Sequence, residues 1–352
     1  MPSINATAIR AGLETLYFTG AHRLARPFFA GVGVILTFHR VRPPRNDAFQ
    51  PNRILEITPR FLDAVISRLR DADVDIVTID EAHRRLVEGR HARRFVVLTF
   101  DDGYRDNLAF AWPVLRRHGV PFVVYVASAF ADGRGELWWV ALEEAIAHAD
   151  RLTAVLDDEE RVFDCASAEA KWRTWDTIYR WLRQRRDEAD LRRAVRQIAA
   201  AQGIDMHAQC RDACMDWSEL ANLIRSAPVT VGAHTVEHVV LAKVGALDAR
   251  AEIANSVARI EARLGVRPRH LAYPVGDPAS AGRREFKLAA ELGFKTAVTT
   301  RPGVLFAEHA RHLTALPRIS VNGAFQRLRY VDVLLSGAAT ALANGFRRVD
   351  AA

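Results

Sequence analysis

Cysteine is scarce: the 352-residue chain holds three, Cys165, Cys210 and Cys214. Three thiols cannot make the disulfide framework of a small secreted scaffold, so the fold must stand on its own core. His207, Cys210 and Cys214 lie close in sequence, but no second matching pair completes the ligand set of a structural zinc. Lysine is scarce too, and arginine carries nearly all the positive charge behind a net +7. No apolar run reaches the length that crosses a bilayer. Arg10, Glu14, Arg23 and Arg26 interrupt every apolar stretch before Gly31, unlike a secretory leader, so a cytoplasmic location is the default expectation. Internal repeats and low-complexity tracts are absent. A basic patch interleaved with aromatics is absent as well: the arginines of 90–94 run straight into a strand, and those of 179–196 are broken by acids. No nucleic-acid partner is therefore expected.

A hydrophobic content of 49% with 26% charged residues is enough for one large core. Short β-branched runs alternate with helical patterns. Strands are expected at 32–38, 76–79, 95–100, 122–127, 229–232, 270–273 and 296–299, and helices at 59–73, 105–119, 248–265 and 283–293. Proline after Thr58 opens the first helix, and Gly119, Gly265 and Gly293 close the others. Such alternation predicts an α/β fold, a parallel sheet with helical crossovers, open or closed into a barrel. The rhythm breaks at about 130–227, read as a helical insertion. Residues 1–30 form an N-terminal amphipathic helical segment, 31–323 the barrel with its insertion, and 324–352 a C-terminal helical tail. The N-terminal segment is expected to dock on the protein's own body, with peripheral membrane contact as the alternative.

Chemistry concentrates at two strand ends. The run Val96-Val97-Leu98-Thr99-Phe100 stops on Asp101-Asp102, then Gly103-Tyr104. Adjacent carboxylates repel and need a cation, a shared proton or water to coexist. Successive side chains of a strand point to opposite sides, so the two aspartates can hold different roles. The second locus, Gly232-Ala233-His234-Thr235-Val236-Glu237-His238, also follows an apolar strand. Its histidines are spaced i, i+4 and can face one point. With a carboxylate they make an N₂O set suited to zinc or a similar divalent ion, and three protein ligands leave a position open for chemistry.

Together TFDDGY (99–104), HTVEH (234–238) and LAYPVG (271–276) resemble the polysaccharide deacetylase family, the NodB-homology group akin to carbohydrate esterase family 4. The resemblance runs roughly over 32–128 and 228–322. It implies a distorted (β/α) barrel of the glycoside hydrolase/deacetylase type with a helical insertion. It also implies metal-dependent removal of N-acetyl groups from amino sugars of a polysaccharide or oligosaccharide. Carried over, Asp102, His234 and His238 are the metal ligands, with zinc the expected ion and cobalt or nickel able to replace it. Asp101 is the general base. Two histidines are candidates for the general acid. His39, in LTFHRV, resembles the strand of a permuted branch of the family; His312 stands where the more usual C-terminal histidine motif would be. His39 is preferred, because strand C-termini converge on one barrel mouth. The Tyr104 N–H is a candidate oxyanion donor, and Tyr104, Tyr273, Pro274 and Trp217 are candidate substrate contacts, with Trp138 and Trp139 as further sugar-facing indoles. The arginine usual just before Tyr273-Pro274 is absent. Arg318 is placed to orient Asp101. Two other functions fit the same residues less well: a non-catalytic glycan-binding or assembly protein on this fold, and a hydrolase of small N-acyl or cyclic amides.

Overall fold

In the computed structural model, residues 6–72, 74–90 and 92–351 are described. The first five residues of the N-terminal segment, the last residue of the helix expected at 59–73, His91 and Ala352 lie outside them. Among the described residues, seven parallel strands close into a barrel: β1 (Gly33–Phe38), β2 (Phe95–Phe100), β3 (Phe122–Val126), β4 (Val229–Ala233), β5 (His270–Ala272), β6 (Thr296–Pro302) and β7 (Leu316–Ser320). Each pairs with the next in chain order. Closure comes from β1, which pairs with β7 (Leu36 opposite Ile319) and, along its whole length, with β2 (Gly33 opposite Phe95 to Phe38 opposite Phe100).

Strand period explains the two layers of the core. Val34, Leu36, Phe38, Val96, Leu98, Phe100, Val124 and Val126 pack outward against the surrounding helices. The alternate set, Ile35, Val97, Val123 and Tyr125, fills the barrel with Ile79, Ala82 and Leu86 of the helix Ile79–Glu88. Each valine, leucine, isoleucine or phenylalanine among them, fully removed from water, contributes roughly 1.5–3 kcal/mol. The expected strand at 76–79 shrinks to Asp75–Ile76, because Thr78 caps this helix by accepting the Glu81 N–H at 3.1 Å.

The insertion departs from the all-helical expectation. Arg151–Leu156 and Glu159–Asp164 form an antiparallel hairpin, turned by Asp157 and Asp158 at φ 55° and 63°. Two central residues at positive φ are what a two-residue hairpin turn needs. With helices Trp138–His148, Ala168–Gln184 and Glu188–Ala201 it builds a second core around Leu142, Leu152, Trp175, Ile178 and Val195. Tyr104 and Phe130 join that core to the barrel.

The N-terminal segment is two helices, Ala6–Phe18 and Ala21–Phe29, broken at Gly20 with φ 72°. It docks on the tail helix Leu328–Leu335, with Leu13 against Tyr330 and Val333. That is the docking expected of it.

Candidate metal centre

Continuing the alternation of β2, Asp101 follows Val97 and Thr99 into the barrel. There Arg318 reaches it from β7 and donates two hydrogen bonds, Nη1 to Oδ1 at 2.8 Å and Nη2 to Oδ2 at 2.7 Å. Arg318 is itself buried and fixed by Thr299 O and Thr99 Oγ1. A paired guanidinium offsets what burial would cost a lone carboxylate. Burial alone would raise the Asp101 pKa; Arg318 overcomes it and holds the group below the usual carboxylate range.

Asp102 leaves the strand in the left-handed conformation, φ 70°, followed by Gly103 at φ 66°. This turn carries its side chain away from Arg318 and toward His234 and His238. Asp102 Oδ1 lies 3.4 Å from His234 Nε2 and 3.3 Å from His238 Nε2, and the donor atoms of all three lie within 4.8 Å of one another. Ligands at about 2.0–2.1 Å from a tetrahedral zinc are separated by about 3.3–3.4 Å, so the spacing fits that ion. Asp102 Oδ1 is buried without a hydrogen-bond partner, which a cation would supply. His234 places its Nδ1 2.7 Å from the Ala272 carbonyl, so Nδ1 carries the proton and Nε2 turns its lone pair to the cluster. Burial would push the Asp102 carboxyl up, yet the two imidazoles keep it well below its ordinary value. The residues present fit a divalent ion.

The loop carrying the histidines is strained and braced. Thr235 and His238 sit at φ 64° and 57°. Glu252 accepts the N–H groups of Val236 and Glu237, and Arg192, from the insertion, donates to the Glu237 carbonyl at 2.6 Å. Trp139 and Phe130 wall His238 at ring separations of 5.0 and 5.8 Å. Neither Glu252 nor Arg192 was found from sequence, since nothing near them in the chain marks them as braces.

The two candidate acids are separated by the fold. His39 ends β1 at the mouth with Nε2 4.0 Å from Asp101 Oδ2. Asn107 donates to its carbonyl, and Asp106 holds the following residues through Arg40 and the Val41 N–H. His312 is exposed and precedes the start of β7, at the opposite end of the barrel. Of the expected substrate contacts, Tyr273 and Pro274 are core positions: the Tyr273 hydroxyl donates to the Thr314 carbonyl at 2.8 Å, inside the packing. Trp217 opens the helix Trp217–Ser226, half-buried, with its indole N–H on Asp132. Trp138 and Trp139 belong to the insertion core, and Trp139 donates to the buried Tyr104 hydroxyl at 3.0 Å. The buried side chains of Tyr273, Trp138 and Trp139 pack the protein, whereas Trp217 keeps part of its ring at the surface.

The family model for polysaccharide deacetylase matches residues 88–297, spanning both Asp101-Asp102 and the two histidines. The chain belongs to the polysaccharide deacetylase family. The curated Bacillus subtilis (strain 168) protein YxkH, assigned by its name to the polysaccharide deacetylases, is 26% identical over 95 residues. That match covers 27% of this chain and about a third, 34%, of YxkH. Two solved structures share the family fold. The Streptococcus pyogenes deacetylase PplD, in complex with acetate, superposes with TM-score 0.53 at 17% identity, over 82% of this chain and 92% of that one. IcaB from Ammonifex degensii gives TM-score 0.53 at 18% identity, over 87% and 96%. In this deacetylase-family chain the site sits at the C-terminal ends of β1, β2 and β4, the rim from which barrel chemistry is ordinarily done.

Proposed function

We propose that this protein is a divalent-metal-dependent deacetylase that removes N-acetyl groups from amino sugars of a polysaccharide or oligosaccharide. One observation carries the reading. The buried Asp102–His234–His238 cluster stands beside a second carboxylate, Asp101, that Arg318 keeps away from those ligands and His39 approaches from the mouth. A structural metal site has no use for the neighbouring acid and base.

Zinc, cobalt or nickel held by Asp102, His234 and His238 supplies Lewis acidity toward the amide carbonyl and acidifies water. The remaining work belongs to the chain. Asp101, ionised and clamped, takes the proton of the attacking water. The Tyr104 N–H donates to the oxyanion that forms when water adds to the carbonyl carbon. His39 donates a proton to the amine as the C–N bond breaks, releasing acetate and the free amino sugar.

The test is acetate release from acetylated oligosaccharides by the purified protein, with chelator and with added zinc. Chelation abolishes turnover. Asp101→Asn and His39→Ala each lower kcat by roughly 10²–10⁴ while zinc stays bound, and His312→Ala leaves kcat unchanged. Full turnover in Asp101→Asn removes the base assignment. A metal-loaded protein silent on every acetylated glycan supports a binding role instead.

A further inference from the structure

The helices Ala6–Phe18 and Leu328–Leu335 run along the barrel from the mouth side, where Arg10 donates to the Ala324 carbonyl, to the base, where Ala21–Phe29 and Ala338–Ala343 complete one layer beside the N-terminal ends of the strands. Arg94, just before β2, ties it down by donating to the carbonyls of Ala30 and Leu335. Its inner face is buried, but its outer face shows Phe18 (73% exposed), Leu24 (78%), Phe28 (68%), Leu342 (56%) and Phe346 (60%). Phe29 links the two halves, its ring 6.5 Å from Phe28 and 5.7 Å from Phe346. Exposed large apolar side chains gathered this closely mark a contact surface.

Charge says what kind. Arg23, Arg26 and Arg347 are exposed on the same layer, and among the described residues no carboxylate pairs with them. Residues 15–30 and 336–349 contain no acid, and Glu14 is occupied by Arg329 and Tyr330. Burial and the nearby Arg26 push even Arg94 down to about 10. Two copies pairing through this face would set arginine against arginine, which disfavours a dimer.

We propose that this face docks on an anionic phospholipid bilayer. Phe18, Leu24, Phe28 and Phe346 enter the headgroup–acyl boundary, and Arg23, Arg26 and Arg347 meet the lipid phosphates. The contact is peripheral, since no described helix is long and apolar enough to cross a membrane. Docked this way, the mouth carrying Asp101 and His39 points away from the lipid, at the far end of strands roughly 20 Å long. The proposal does not depend on the deacetylase reading.

The full chain is sedimented with vesicles of phosphatidylcholine alone and with vesicles also containing phosphatidylglycerol, at low and moderate salt. It binds the anionic vesicles, less so as salt rises. Leu24→Glu with Phe28→Glu weakens binding at least tenfold, and Arg23→Gln with Arg26→Gln about thirtyfold. Both variants keep the parent's melting temperature and zinc affinity, because these side chains touch neither the core nor the metal centre. Failure to sediment with anionic vesicles overturns the proposal, as do variants that bind like the parent. A dimer in lipid-free solution that Leu24→Glu with Phe28→Glu dissociates also overturns it and assigns the face to a second copy.

Discussion

At Asp101 and Asp102 a one-residue step separates two sets of partners, and backbone conformation enforces the separation. Asp101 keeps the inward direction of β2 and meets Arg318; Asp102 turns left-handed and meets the imidazoles. This much was legible in the sequence because the signal is local: like charges side by side, and two histidines four residues apart. The packing of Tyr273 was not legible, because an aromatic suited to a sugar face suits a core equally well, and only burial tells the two apart. His309 shows a residue-scale effect that sequence cannot disclose. It is buried, with Nδ1 accepting the Phe306 N–H. Burial, with some help from the neighbouring His312 and against Glu308, pushes it from 6.5 down to about 4. The folded state therefore prefers the neutral ring, and the unfolded state binds the proton first. Stability from this residue is complete above pH 6.5, is lost as pH falls toward 4, and is flat below that. The fall corresponds to about 3 kcal/mol. Chemical denaturation across that range checks it: His309→Gln, which cannot titrate, flattens the slope by about that amount relative to the parent.

Among the elements, the strands with unbroken apolar runs declared themselves, whereas β7 did not. Its sequence, Leu316-Pro317-Arg318-Ile319-Ser320, carries a proline and an arginine where a buried strand ordinarily has neither. Both exceptions make sense in the fold. The bulge between Val298 and Pro302 of β6 loosens the ladder beside Pro317, and Arg318 is buried because Asp101 is there to receive it. The hairpin inside the insertion was overlooked for a different reason. Its signal, alternation around Asp157-Asp158, is short and lies among long helical patterns. The insertion does more than enclose a second core. Through Arg192 on Glu188–Ala201 it holds the carbonyl of Glu237, next to His238 of the candidate metal centre. Arg192→Met then lowers zinc affinity of the folded protein roughly 10–100-fold, the usual cost of losing a partner that orients metal ligands. Arg192→Lys, which keeps a donor for that carbonyl, restores part of it. Competition with a chromogenic chelator measures both. Unchanged affinity in Arg192→Met would confine the residue to bracing the insertion through Glu136 and Glu188.

For the molecule as a whole, the barrel brings together residues far apart in sequence, and the Asp102–His234–His238 cluster records that closure. Asp102 follows β2, while His234 and His238 follow β4, with β3 between them and the entire insertion in the chain connecting them. The unfolded chain has no such site, so an ion that binds the assembled ligands stabilises the fold by mass action. At a free zinc concentration of about 100 times Kd the contribution is about 2.7 kcal/mol. Twelve histidines and three cysteines let the unfolded chain bind zinc weakly, which makes that figure an upper value. The melting temperature should therefore climb with the logarithm of free zinc and fall on chelation. Asp102→Asn is the informative variant, because asparagine accepts the left-handed backbone at φ 70° and changes the ligand with little strain. Its melting temperature without zinc falls below that of the parent, since the carboxylate that the two imidazoles hold ionised in the fold is gone, and its response to zinc is largely lost. A zinc response as large as the parent's would mean that the ion binds elsewhere, and the three residues at the mouth would lose their assignment as ligands.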